Sequence, residues 1–184
     1  MSGSLNQTAV SPTGGNSFIR ASNGLSSLCG IVSASMILIA VIITCQMIFV
    51  RFVLNLSTVW QTEAVVYLMV SATLIGLPYV QRHRGHVNVD LLPLMLGQKL
   101  RRLLALVVLV ASIVVICIML FYGFEQWYVA FKRGWTSDTV WGVRLWIPYL
   151  ALPVGFGLFL LQLIADLVSV IMGYDKPFGL EEKK

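Results

Sequence analysis

Charge is what this sequence has least of. Only 11% of its 184 residues are Asp, Glu, Lys or Arg, against 58% apolar, and the mean hydropathy is +0.84. A soluble domain is roughly a quarter charged, so the polar groups here are too few to cover a water-soluble globule. The same apolar weight excludes disorder for most of the chain. Histidine is scarce, with only His83 and His86, and both lie outside the apolar runs. A haem held between membrane helices needs histidines inside the spans. The cysteines Cys29, Cys45 and Cys117 are odd in number and lack metal spacing. They are expected to be small packing residues rather than a disulfide or metal site. Nucleophile elbows, phosphate-binding loops, zinc motifs and paired catalytic carboxylates are all missing. No enzyme activity, cofactor or metal is expected.

What is there is long apolar sequence. Four stretches, about 28–50, 60–80, 103–124 and 145–172, are interrupted only by Glu63 and Asp166 at their polar positions. Roughly 20 such residues cross a hydrocarbon core of about 30 Å, and in lipid each must be helical to satisfy its own backbone. The fold class expected is therefore an all-α integral membrane protein with four transmembrane helices, its membrane domain covering 27–173. Residues 1–26 read as a disordered polar cytoplasmic tail, since Ser, Gly and Asn supply 13 of those 26 positions. The run that follows is too long for a signal-peptide core and has no cleavage-site pattern. Residues 174–184 form a second tail.

The net charge of +5 points to orientation in a bilayer rather than to nucleic acid. Arg20, Arg82, Arg84, Lys99, Arg101, Arg102, Lys176, Lys183 and Lys184 fall on one side. Arg51, Lys132, Arg133 and Arg144 fall on the other. Nine against four puts both termini in the cytoplasm. Trp60, Trp127, Trp135, Trp141 and Trp146 all lie on or near the less basic side. Between spans two and three, Asn88 and Asp90 are helix N-caps ahead of a short Leu-rich run ending in Lys99, Arg101 and Arg102. That run is too short to span and reads as an amphipathic interfacial helix over about 88–100 on the cytoplasmic face, held by anionic lipid.

Three groups of polar residues stand out. Arg51, Asn55, Trp60 and Glu63 bracket the external turn between spans one and two, where Arg51 and Glu63 are placed to pair. Thr58 and Gln61 fit a capping box opening span two. The second is Asp166, about 10 Å inside the cytoplasmic end of span four at 1.5 Å per residue. It is expected to meet basic residues of the arm, Arg101 or Arg102. The third is His83 and His86, read as a basic cytoplasmic turn. The longer external segment 123–144 reads as a loop that anchors in the interface or receives a partner. No internal repeat is visible, so the inverted-repeat signature of many carriers is absent.

In order and spacing these motifs resemble the small membrane subunit of tripartite ATP-independent periplasmic (TRAP) transporters. The resemblance rests on Arg51-Phe52-x-x-Asn55, Trp60-x-x-Glu63, Gly76, the run Arg84-Gly85-His86-Val87-x-Val89-Asp90, and Leu145-Trp146-Ile147-Pro148-Tyr149 with Leu152-Pro153-Val154-Gly155. It covers roughly 28–172. It implies an accessory scaffold subunit in the bacterial inner membrane. Its partners would be a large membrane subunit and, transiently, a periplasmic substrate-binding protein. The system would import an organic acid on a sodium gradient. The candidate subunit or lipid contacts are then Arg51, Asn55, Trp60, Glu63, Arg84, His86, Asp90, Arg101, Arg102 and Asp166. Two other classes compete: a small independent four-span carrier acting as a homo-oligomer, and a membrane anchor for a redox enzyme.

Overall fold

The apolar runs form helices in the computed structural model, which describes residues 17–83 and 98–172. Helix α1 is Ser17–Phe52, α2 is Val59–Arg82, α3 is Gln98–Arg133, α4 is the single turn Trp146–Tyr149, and α5 is Ala151–Met172. Helices α4 and α5 together make the fourth span, and all four spans are long and apolar enough to cross a membrane. One end of the bundle carries the α1–α2 turn and the α3–α4 connection and is called the hairpin end. The opposite one, with the start of α1 and the ends of α2 and α5, is the tail end. The amphipathic helix expected over 88–100 falls largely on 84–97 and lies outside the described residues. So do residues 1–16 and 173–184.

Helix α1 begins at Ser17, which corrects the polar tail drawn to residue 26. The reason lies in spacing. Ser22, Ser26, Cys29, Ser33 and Ala40 are buried, with Met36 half-buried between them, so intervals of four and three residues alternate. That is the heptad rhythm of a helix seam. Small residues on it let backbones approach closely, which drives association where no hydrophobic force acts between helices. Ser26 donates to the Pro78 carbonyl at 2.7 Å and Ser33 to the Ala72 carbonyl at 2.7 Å. Gly30 and Gly76 continue the seam. A Cβ on Gly30 would stand 2.4 Å from the Tyr79 ring, and one on Gly76 2.8 Å from the Ser33 hydroxyl.

Helix α5 runs parallel to α2 and is the centre of the bundle. It packs on α2, α3 and α1, whereas α3 packs chiefly on α5. A third of the apolar window of the α4–α5 span is buried but only 6% of that of α3, so most of α3 faces outward. At Gly155 the contact with α2 is with backbone as well as side chain. A Cβ there would lie 2.7 Å from Leu74 Cβ and 2.9 Å from both the Leu74 carbonyl carbon and oxygen. Pro78 stands four residues after Leu74 and has no N–H to give that carbonyl. The glycine backbone thus closes over a carbonyl that Pro78 cannot serve. Pro78 itself is fully buried, and α2 continues through it to Arg82.

Helix α3 continues to Arg133, well past the loop expected from residue 123. Gly123 is in van der Waals reach of α5, with Leu152 Cβ 3.3 Å from its virtual Cβ. Phe124, Trp127, Tyr128 and Phe131 follow at helical spacing; Phe124 stacks on Tyr128 and Trp127 on Phe131, and Phe131 meets Trp146 edge-on. Aromatic side chains of this kind belong at the headgroup level.

The α1–α2 turn depends on Asn55, whose φ of 50° is left-handed. Asn tolerates this region because its short side chain bonds locally, while a β-branched residue does not. The capping box expected at Thr58 and Gln61 does not form: Thr58 makes no side-chain cap bond. Gln61 is instead buried at 3% exposure, its Oε1 without a hydrogen-bond partner. Asn55→Val should lower stability by about 1–2 kcal/mol and Asn55→Gly should leave it nearly unchanged, as read by thermal unfolding in mild detergent. Equal melting of the two variants would show that the turn does not need this backbone.

Candidate functional site

Polar side chains gather at the two ends. At the tail end, Gln162 is a hub at 1% exposure. Its Nε2 donates to Asp166 Oδ1 at 3.0 Å and to Asn23 Oδ1 at 3.4 Å, and its Oε1 accepts from Ser22 at 3.1 Å. Gln81 Nε2 donates to Asp166 Oδ2 at 3.0 Å. Arg82 Nη1 donates to the Asn23 carbonyl at 2.7 Å and to the Ser27 hydroxyl. Three helices, α1, α2 and α5, are thereby tied through one half-buried carboxylate. Each carboxylate oxygen thus accepts one amide N–H.

Among the described residues, Gln81 and Gln162 of the spans donate to Asp166. Arg101 and Arg102 lie in the first turns of α3, with their side chains outside the description, so the expected contact with them is not among the described bonds. Arg84, His86 and Asp90 also lie outside the described residues. His83 is exposed, its Nδ1 3.0 Å from the Tyr79 carbonyl and its ring tilted against Tyr79 with centroids 4.3 Å apart.

At the hairpin end, the segment after α3 folds back as a short β-like hairpin. Thr136 bridges Arg144, Ser137 N–H donates to the Val143 carbonyl at 2.8 Å, and Leu145 N–H donates to the Trp135 carbonyl at 2.9 Å. Gly134 and Gly142, at φ 62° and 59°, begin and close it. Its tip leaves Val140 97% exposed and sets Trp141 6.2 Å from Trp60. Glu63 accepts from the Ser137 hydroxyl and so latches this hairpin to α2. The expected pairing of Arg51 with Glu63 is corrected here, because Arg51 is exposed at the end of α1 while Glu63 turns to Ser137. The second Glu63 oxygen, Gln61 Oε1 and Trp127 Nε1 are buried without a hydrogen-bond partner.

Sequence reasoning thus brought Trp60 and Glu63 to one place and gave Asn55 a turn. It missed Ser22, Asn23 and Gln81, while Gln162, one turn before Asp166, was legible as part of the same polar face. The signal for the serines was their heptad spacing into the first apolar run. Between the ends, the hydroxyls of Ser33, Ser35, Thr44, Thr73 and Ser112 each donate to a backbone carbonyl. Among the described residues no group of three or more His, Cys, Asp or Glu could hold a metal ion.

A family profile described as "Tripartite ATP-independent periplasmic transporters, DctQ component" matches residues 40–173. The chain is also similar to the C4-dicarboxylate TRAP transporter small permease protein DctQ of Vibrio cholerae serotype O1, at 22% identity over 153 residues. That match covers 72% of this chain and 66% of the relative, so the chain spans just under two thirds of the relative's length.

Proposed function

The chain belongs to the DctQ component family of tripartite ATP-independent periplasmic transporters, and from that membership we propose that it is the scaffold partner, not the solute carrier, of its transporter. As a small membrane subunit it would associate with a large membrane subunit, and transiently with a periplasmic binding protein, in sodium-driven uptake of an organic acid. The observation that supports a scaffold is the state of the polar groups inside the spans. The hydroxyls of Ser33, Ser35, Thr44, Thr73 and Ser112 turn to backbone carbonyls, and Asp166 is engaged by two amides. A carrier needs polar groups free to meet a solute or ion at mid-membrane.

In this reading the tail end faces the cytoplasm, as the distribution of Lys and Arg favours. Arg84, His86, Asp90, Arg101 and Arg102 would then shape a cytoplasmic arm against lipid headgroups or the large subunit. Arg51, Asn55, Trp60 and Glu63 would shape the periplasmic end.

The test is gentle extraction of the tagged chain from its native membrane, with copurifying chains identified by mass spectrometry. A near-stoichiometric partner with many more spans is expected, and His86→Ala with Asp90→Ala should reduce its recovery. A clean homo-oligomer that moves solute in vesicles by itself would overturn the proposal in favour of an independent carrier.

A further inference from the structure

An apolar groove of 420 Å³ opens between α2 and α5 below the hairpin. Ala64, Tyr67, Leu68, Ser71 and Ile75 form its α2 wall. They share one helix face and run about 16 Å along it at 1.5 Å per residue. Helices α4 and α5 supply the opposite wall, and Trp141 and Val143 of the hairpin roof it. The walls belong to membrane spans, so the groove lies at hydrocarbon depth. Its long, narrow form suits a flexible chain better than a compact solute.

The rim at the hairpin end has a different chemistry. Trp60 and Trp141 pair there at 6.2 Å, an arrangement that marks headgroup level. Arg144 is exposed and stands between two lining residues, directly after Val143 and joined to Ile147 by a 3.1 Å bond from the Ile147 N–H to its carbonyl. An exposed cation in the chain beside the rim of an apolar slot complements an amphiphile with an anionic head and an apolar tail.

We propose that this groove is a phospholipid site, with one acyl chain lying against Ala64, Leu68 and Ser71 and the headgroup phosphate resting on Arg144. The hairpin roof, latched to α2 by Ser137 and Glu63, keeps the slot open at its upper end. The proposal does not depend on a transport partner, because binding is read on the chain itself.

The test uses the full chain purified in mild detergent, its retained lipid counted by native mass spectrometry. Phosphatidylglycerol, and diacylglycerol with the same acyl chains, are then added back separately. One phospholipid per chain is expected. Ala64→Phe, which fills the slot, should cut retention at least about tenfold, since excluding two buried methylenes already accounts for that factor. Arg144→Gln keeps the slot and should lower the preference for phosphatidylglycerol over diacylglycerol about fivefold. Should Ala64→Phe fail to fold, Arg144→Gln still decides the matter. Lipid retention unchanged by Ala64→Phe, or a headgroup preference unchanged by Arg144→Gln, would overturn it. So would a photo-crosslinker at Ser71 in the native membrane that captures a protein helix instead of lipid.

Discussion

Gly155→Ala should destabilise the bundle while Gly157→Ala should not. Both exchanges sit in α5, and each removes a glycine whose helix propensity is about 1 kcal/mol poorer than alanine's. Propensity alone therefore predicts two stabilised variants. Space separates them. Nothing lies within 4 Å of a Cβ at Gly157, whereas one at Gly155 meets Leu74 Cβ at 2.7 Å and its carbonyl carbon and oxygen at 2.9 Å. Those carbonyl atoms are backbone and cannot swing aside, so α2 and α5 must part. Overpacking of this kind costs about 1–3 kcal/mol, enough to outweigh the propensity gain. Gly30→Ala, whose obstacle is the half-free ring of Tyr79, should cost less. The check is the detergent denaturation midpoint of the three variants. A Gly155→Ala midpoint at or above that of Gly157→Ala would mean the two helices are not seated on each other at this point.

Gln162→Leu should release the first turns of α1. The exchange conserves bulk but deletes the bonds to Ser22, Asn23 and one oxygen of Asp166. A single interhelical hydrogen bond in lipid is worth only about 0.6 kcal/mol. The larger loss is the buried Ser22 hydroxyl left behind, at about 1–3 kcal/mol for a buried group without its partner. A total near 2 kcal/mol is expected. It should be local: amide exchange should rise over residues 17–27 and stay unchanged at the hairpin end. The Arg82 bond to the Asn23 carbonyl limits the effect by holding α1 at a second point. Unaltered exchange over 17–27 would assign the anchoring to Arg82 and the serine seam alone. Asp166→Asn, which keeps an acceptor for one amide, should fall between the wild type and Gln162→Leu.

The four spans were readable because bilayer thickness imposes a length and lipid imposes a helix, and both constraints act on composition alone. Helix ends were not, for two different reasons. Residues 17–26 are rich in Ser, Gly and Asn, and such composition fits a disordered tail as well as a small-residue seam. Only the interval between Ser22, Ser26, Cys29 and Ser33 tells them apart. After Gly123, the polar pair Glu125 and Gln126 reads as a loop, yet the aromatic residues at helical spacing carry α3 on for another ten positions. The charged candidates fared by distance along the chain. Asn55 and Glu63 lie beside their turn, so their neighbourhood could be read. Yet the actual partner of Glu63, Ser137, is 74 residues away, and the link between Asn23 and Gln162 joins residues 139 apart. No local pattern encodes pairs at that separation.

The dependence of α3 on α5 also has a meaning in time. Ribosomes deliver spans in sequence, and α1 and α2 can close their serine seam as soon as both are in the bilayer. The third span then has its main packing surface still unsynthesised. Until the fourth span emerges, α3 stands in lipid beside a finished hairpin, and the carbonyl of Leu74 waits uncovered. With α5 in place, α3 gains its main packing surface, Gly155 seats on Leu74 and Gln162 meets Ser22. A ribosome stalled before α5 would leave two separate membrane pieces rather than three quarters of a bundle.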